Sequence, residues 1–142
     1  MTDSQQRSTD LVKSFFAAKE RHDLAATVEV LIDDVQYIFP LSASGDPEPW
    51  FVYTGKDATT EYQRGVLERF SQIRMLDPHY TVSADGTTVF VESRGDYIAE
   101  EGNQPYNNVY IFKFLVRDGK ITQVYEYANP VTFAKLAGLP IG

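Results

Sequence analysis

The segment Pro105–Pro130, PYNNVYIFKFLVRDGKITQVYEYANP, constrains this chain more than any other. Two runs rich in aromatic and β-branched residues flank Asp118–Gly119, a short-range signal for a β-hairpin. On the first run the even positions are Asn108, Tyr110, Phe112, Phe114 and Val116, while Lys113 and Arg117 are odd. Successive side chains of a strand point to opposite faces, so the even set is the one to bury. The turn then decides what that set meets. A two-residue loop would pair Arg117 with Lys120 and place Tyr110 beside Tyr127. A three-residue loop with Gly119 in the left-handed region would pair Val116 with Lys120 and place Tyr110 beside Glu126. One residue of slip exchanges the faces. We favour the longer loop, which sets Thr122, Val124, Glu126 and Ala128 against a row of aromatics. Small residues opposite large ones leave a hollow, with Glu126 on its wall. In the opposite register Glu126 faces water, and Tyr125 and Tyr127 fill the core.

The remaining chain supplies helices first and strands afterwards. Residues 4–21 carry Leu11, Val12, Phe15 and Phe16 at helical spacing, and Asp23 is placed to cap a second helix running to Leu31. Val35–Phe39 reads as a strand ended by Pro40. Residues 41–49, LSASGDPEP, form a loop that leads into Trp50, Phe51 and Tyr53, and we read it as a flap over a pocket. A third helix runs from Gly55 to about Met75, with Tyr62, Val66, Phe70 and Ile73 on one face. After Pro78 come strands at His79–Ser83 and Thr88–Ile98, then the hairpin, then a closing helical turn over 131–137 stopped by Gly138. Helices followed by antiparallel strands is α+β, read here as a single domain over residues 1–142.

Charge and composition narrow the function. A formal net charge of −7 argues against nucleic acid and anionic membrane as partners, since both need clustered Lys and Arg. The chain has no cysteine, hence no disulfide or thiol chemistry. It has no apolar run of membrane length and no signal-peptide pattern at its amino end, which reads as a soluble, cytoplasmic protein. His22 and His79 lie apart without metal-ligand spacing, so no metal is expected. No phosphate loop or dinucleotide fingerprint occurs, so no cofactor is expected. Nine Tyr and nine Phe exceed what a core of this size needs and suggest an aromatic-lined cavity for a small hydrophobic or aromatic molecule. Glu126 is the leading acid–base candidate, because a carboxyl group in an apolar pocket has its charged form disfavoured. Glu92, on the charged side of its strand, reads as outward. The expected pocket lining is Asn108, Tyr110, Phe112, Phe39, Tyr37, Trp50, Tyr53, Tyr62, Val124 and Ala128. No Lys or Arg lies on the face predicted for Glu126. Val109, Ile111, Leu115, Tyr125 and Tyr127 leave apolar groups on the outer face as well, which predicts a homodimer.

The chain resembles the nuclear-transport-factor-2-like, or SnoaL-like and ketosteroid-isomerase-like, superfamily. Within it the nearest likeness is to the phenazine-biosynthesis A/B proteins. The likeness rests on Val89–Phe90–Val91–Glu92, Arg94–Gly95, Tyr106, Asn108, Tyr110, Phe114 and Gly119–Lys120–Ile121. It continues through Glu126–Tyr127–Ala128–Asn129–Pro130 and Leu136–Ala137–Gly138–Leu139–Pro140. The resemblance implies a cone-shaped α+β barrel, usually dimeric, with a pocket at its open end and Glu126 facing that pocket as acid–base. It also implies a cofactor-free isomerase, cyclase or dehydratase, or else a non-catalytic ligand-binding or dimerisation module on the same fold. Neither His22 nor His79 stands where the phenazine proteins carry their histidine. The positions at which steroid isomerases carry a tyrosine donor, an aspartate base and a protonated aspartate fall on Phe15, Phe39 and Tyr110. An aromatic at the base position argues against steroid isomerisation.

Overall fold

Helix α1 (Asp3–Glu20) starts where Thr2 closes a capping box: Thr2 Oγ1 accepts from the Gln5 amide at 3.1 Å, and Gln5 Oε1 accepts from the Thr2 amide at 2.8 Å. This is a computed structural model, and it describes residues 1–141. Asp23 caps α2 (Leu24–Glu29) by accepting from the Ala26 amide at 3.0 Å. Strand β1 (Leu31–Phe39) follows, then β2 (Phe51–Thr54), α3 (Lys56–Arg69) and the short β3 (Phe70–Gln72). Next come β4 (Met75–Val82), β5 (Thr88–Gly95), β6 (Tyr97–Ala99), β7 (Gln104–Tyr106), β8 (Val109–Arg117), β9 (Lys120–Ala128) and α4 (Pro130–Ala137). Asn129 caps α4, Pro130 opens it, and Gly138 closes it in the left-handed conformation (φ +69°).

The main sheet runs β2-β1-β9-β8-β5-β4, and a smaller one runs β3-β6-β7. All pairings are antiparallel except β1 with β9, which is parallel, so the sheet is mixed rather than wholly antiparallel. The inner face of the main sheet carries Val89, Val91, Phe112, Phe114, Ile121 and Val124, all buried. Helix α1 lies on it: Phe16 meets Phe112 edge-on at 5.0 Å, and Phe15 and Phe16 each meet Phe114 at 5.6 Å. Each such ring contributes roughly 1.5–3 kcal/mol by leaving water, with further gain from the edge-to-face geometry. The α+β class, with amino-terminal helices packed on a curved sheet, is therefore the one the sequence predicted.

Several boundaries differ from the sequence reading. The third helix stops at Arg69, six residues before Met75, because Phe70 turns to extended backbone and buries its ring against Tyr97 and Tyr106 at 5.1 and 5.3 Å. Helical periodicity through Ile73 was local; the pairing of β3 with β6 overrides it. The expected single strand Thr88–Ile98 breaks at Asp96, whose amide bonds the Arg74 carbonyl at 2.8 Å. Pro78 lies within β4 rather than before a strand. It stands at an irregularity where Asp77 has φ +49°, on a strand at the edge of the sheet that can spare a donor.

Candidate active site

The hairpin at Asp118–Gly119 is a two-residue turn, with φ of +53° and +74°, not the three-residue loop expected. Arg117 pairs with Lys120 and Val116 with Ile121. The extra residue sits inside β9 instead: after Thr122 the register shifts, so that Leu115 pairs with Gln123, Phe114 with Val124 and Phe112 with Glu126. One displacement of one residue, inside the strand rather than in the turn, gives the same parity as the loop expected. Glu126 thus shares the inner face with Val124 and Ala128, but its partner across the ladder is Phe112 and not Tyr110, which pairs with Ala128. Ile121 and Val124, three residues apart and both fully buried, can face the same core only with a bulge between them.

Glu126 accepts a 2.6 Å hydrogen bond from the Tyr37 hydroxyl on the neighbouring strand β1. Tyr37 is fully buried, and Glu126 is partly so. Burial pushes the Glu126 carboxyl above its ordinary pKa, while the charge of Lys19 and the Tyr37 bond pull it back. Burial, and then the charge of Glu126, hold the Tyr37 and Tyr62 hydroxyls well above the usual tyrosine range. Tyr97 and Tyr110 are raised too, by burial first. These phenols therefore keep their protons and act as neutral donors.

Around this pair the rings form two banks. Tyr37, Phe39 and Tyr62 meet at 5.1–5.3 Å, and Tyr53 stacks on Tyr62 at 4.8 Å. On the other side Tyr110 stacks on Phe112 at 5.4 Å and on Tyr97 at 6.0 Å. Gly95 makes room for this second bank: a Cβ there would stand 2.8 Å from Tyr110 Cε2 and 3.2 Å from the Tyr97 ring. Of the expected lining, Tyr37, Phe39, Tyr53, Tyr62, Tyr110, Phe112, Val124 and Ala128 all pack on the inner side with Glu126.

Two expected lining residues are placed differently. Trp50 is 48% exposed and stands edge-on to Tyr125, whose strand position faces away from Glu126. Asn108 is only 2% exposed, but the protein uses its whole amide. Nδ2 donates to Tyr106 Oη at 2.6 Å and to the Asn129 carbonyl at 3.1 Å, and Oδ1 accepts from the amides of Val109 and Asn129 at 2.8 and 3.1 Å. It clips the start of β8 to the end of β9 and has no valence left for a ligand.

The sequence reading missed Lys19, at the end of α1, which is 3% exposed and supplies the cation that the predicted face lacked. Its signal was present: Lys19 follows Phe15 by four residues and Phe16 by three, on the apolar stripe. Thr59 and Gln63, one turn apart on α3, were also missed. Both are fully buried, and neither the Thr59 hydroxyl nor either end of the Gln63 amide has a hydrogen-bond partner among the described residues. No group of three or more metal-ligating side chains occurs among the described residues. His22 is engaged with the Phe70 carbonyl at 2.6 Å.

The SnoaL-like domain family matches residues 12–124. The chain belongs to that family. The YesE protein of Bacillus subtilis strain 168, described as uncharacterized, is 25% identical over 133 residues, covering 94% of this chain and 88% of its own length. An inferred isomerase from Bacillus subtilis superposes with a TM-score of 0.84 at 23% identity, over 99% of both chains. An inferred polyketide cyclase from Xanthomonas campestris pv. campestris gives 0.75 at 26% identity, over 92% of this chain and 96% of its own. A phenazine biosynthesis-related protein from Pseudomonas aeruginosa gives 0.81 at 20% identity, over 100% and 89%. The NTF2-like, SnoaL-like superfamily is thus the one the sequence resembled, while the particular nearness to phenazine-biosynthesis proteins does not stand out among these relatives. In this SnoaL-like chain the match runs from Val12, beside the α1 rings, to Val124, two residues short of Glu126.

Proposed function

We propose that this SnoaL-like protein is a cofactor-free acid–base enzyme of isomerase, cyclase or dehydratase type, acting on a small cyclic or aromatic compound. Glu126 is its acid–base. The observation that carries this reading is the Tyr37–Glu126 bond among packed aromatic rings, with burial as the largest influence on the carboxyl. A raised carboxyl pKa brings the group toward working pH, where it can both take and return a proton. The step balances on the protein alone: the carboxylate removes a proton from one substrate atom and the resulting acid delivers it to another. Protonated tyrosines such as Tyr110 and Tyr62 supply donors for the oxygen on which charge develops. The inferred isomerase and polyketide cyclase among the relatives are consistent with chemistry of this kind.

A non-catalytic binding or dimerisation module would place Glu126 in an ion pair on an outer surface. Instead it lies on the inner face, with no basic group within 4 Å among the described residues. The test begins with ligand that co-purifies with the protein, identified by mass spectrometry, and follows exchange of its carbon-bound hydrogens in D2O by NMR. Glu126→Gln keeps the shape and removes the titrating proton. It should bind that ligand near wild-type affinity and lose at least ~100-fold in exchange rate. Wild-type exchange in Glu126→Gln would overturn the assignment. We also propose a homodimer, through the outer face of the main sheet.

A further inference from the structure

Phe90, Glu92 and Arg94 point outward from β5, and Val109 and Ile111 do so from its neighbour β8. Across the ladder Glu92 stands against Ile111, and Arg94 against Val109. These four residues make a square in a shallow depression on the outer face of the main sheet, with an acid and a base on β5 and two apolar side chains on β8. Glu92 has no ion pair within 4 Å among the described residues, and Arg94 meets only Asp77, at 3.0 Å, in a pair exposed at both ends. A pair so exposed contributes little, so Arg94 can exchange it for another acid. Two chains of net charge −7 repel each other, whereas this square is neutral.

Sheets that pack face to face lie about 10 Å apart, a gap that a glutamate and an arginine span together. A two-fold axis between two such sheets, perpendicular to β5, lays each strand antiparallel over its own copy. Ser93 pairs with Tyr110 at the centre of the square. With the axis there, Glu92 meets the partner's Arg94, Arg94 meets the partner's Glu92, and Ile111 and Val109 cross in the same way. One axis thus matches the charges and the apolar pair together. Moved one residue along β5, the axis sets Glu92 on the partner's Glu92, or Arg94 on the partner's Arg94. Turned parallel to β5 and lying over it, the axis does both, and like charges so placed oppose docking. We propose that two copies of this chain dock through this square, about an axis at Ser93 and Tyr110, with Glu92 of each reaching the partner's Arg94. A patch whose own two-fold sets acid on base and apolar on apolar is its own complement, so its partner is a second copy. This rests on the homodimer proposed above and adds the register of its interface.

Sedimentation equilibrium of the full chain, with two charge reversals, tests this register. In Glu92→Arg both crossed contacts set cation against cation, and in Arg94→Glu both set anion against anion. Each variant alone should raise the dimer dissociation constant at least ~100-fold, because like charges face each other twice. Mixed in equal amounts, the two variants should form a heterodimer near wild-type strength, because every acid again meets a base. A monomeric wild type overturns this proposal together with the homodimer. A wild-type dimer that withstands either reversal, or a mixture that stays monomeric, overturns the register and leaves the homodimer standing. If a reversed chain does not fold, cross-linking decides. The chain has no cysteine of its own, so Val109→Cys and Ile111→Cys chains treated with a short bismaleimide report which positions face each other. The mixture of the two should cross-link well beyond either chain alone. Cross-linking of either chain with itself to the same extent overturns the register.

Discussion

Thr122 Oγ1 donates to the Leu115 carbonyl across the β8–β9 ladder at 3.1 Å, at the very point where β9 takes in its extra residue. That bond braces the bulge which turns Glu126 to the inner face. Thr122→Val keeps the branched shape and removes the donor, which should cost about 1 kcal/mol. Urea denaturation should show a lower midpoint with an unchanged slope. The register should survive, because Ile121 and Val124 still have to be buried together. An unaltered midpoint would show that burial alone holds the bulge.

Glu126 makes stability depend on pH with a definite sign. Its folded pKa lies above the ordinary value of 4.5. Its contribution is therefore complete below that value and is lost as pH rises through the folded pKa. Glu126→Gln should match wild type in acid and exceed it at neutral pH, by about 1.4 kcal/mol for each unit of elevation. In a Lys19→Met background the gap should widen, since the Lys19 charge is what draws the Glu126 pKa down. Thermal denaturation across pH 4.5 to neutrality measures both. A neutral-pH advantage for wild type would remove the claim that burial dominates.

Gln63 offers a stabilising change. Both ends of its amide are buried without partners, and an unmade buried hydrogen bond costs about 1–3 kcal/mol. Gln63→Met fills nearly the same volume with nothing left to satisfy. It should raise stability by about 1 kcal/mol, read as a higher melting midpoint. A fall would mean that the amide is engaged in solution.

The outer face predicts self-association. Val109 and Ile111 are 58% and 44% exposed, and both line a shallow depression of about 590 Å³ together with Leu76 and Tyr127. An exposed apolar strip of this kind on a sheet marks an interface. Sedimentation velocity at micromolar concentration should show a dimer, and Ile111→Glu should convert it to monomer without unfolding. A monomeric wild type would end this proposal.

Much of this fold was legible in the sequence, because period and parity are properties of the chain itself. The alternation from Asn108 to Val116 assigned the buried face of β8 correctly, Asp23 marked a helix start and Gly138 a helix end. The inner position of Glu126 was expected for a partly mistaken reason. The turn is tight, and the displacement lies at Thr122, where only the joint burial of Ile121 and Val124 betrays it. Phe70 looked helical because its spacing from Val66 is helical, but two tyrosines distant in sequence decide its backbone. Asn108 looked like a ligand donor because a polar side chain on a buried face reads that way, and nothing local shows that Tyr106 and Asn129 use its amide. Nothing on the sheet of Glu126 announces Lys19, because the cation comes from a helix more than a hundred residues earlier.

The parallel pairing of β1 with β9 joins the first strand of the chain to the last. A ribosome delivers β1 long before β9 exists, and β2 can occupy only one side of it. Until β9 emerges, the other edge of β1 has open hydrogen-bonding groups, and Tyr37 has no Glu126 to meet. During synthesis this chain therefore passes through a long interval as an unfinished sheet, open to pairing with another nascent chain. Loss of the last strand would leave the protein permanently in that condition, without Glu126 and with one edge of β1 unpaired.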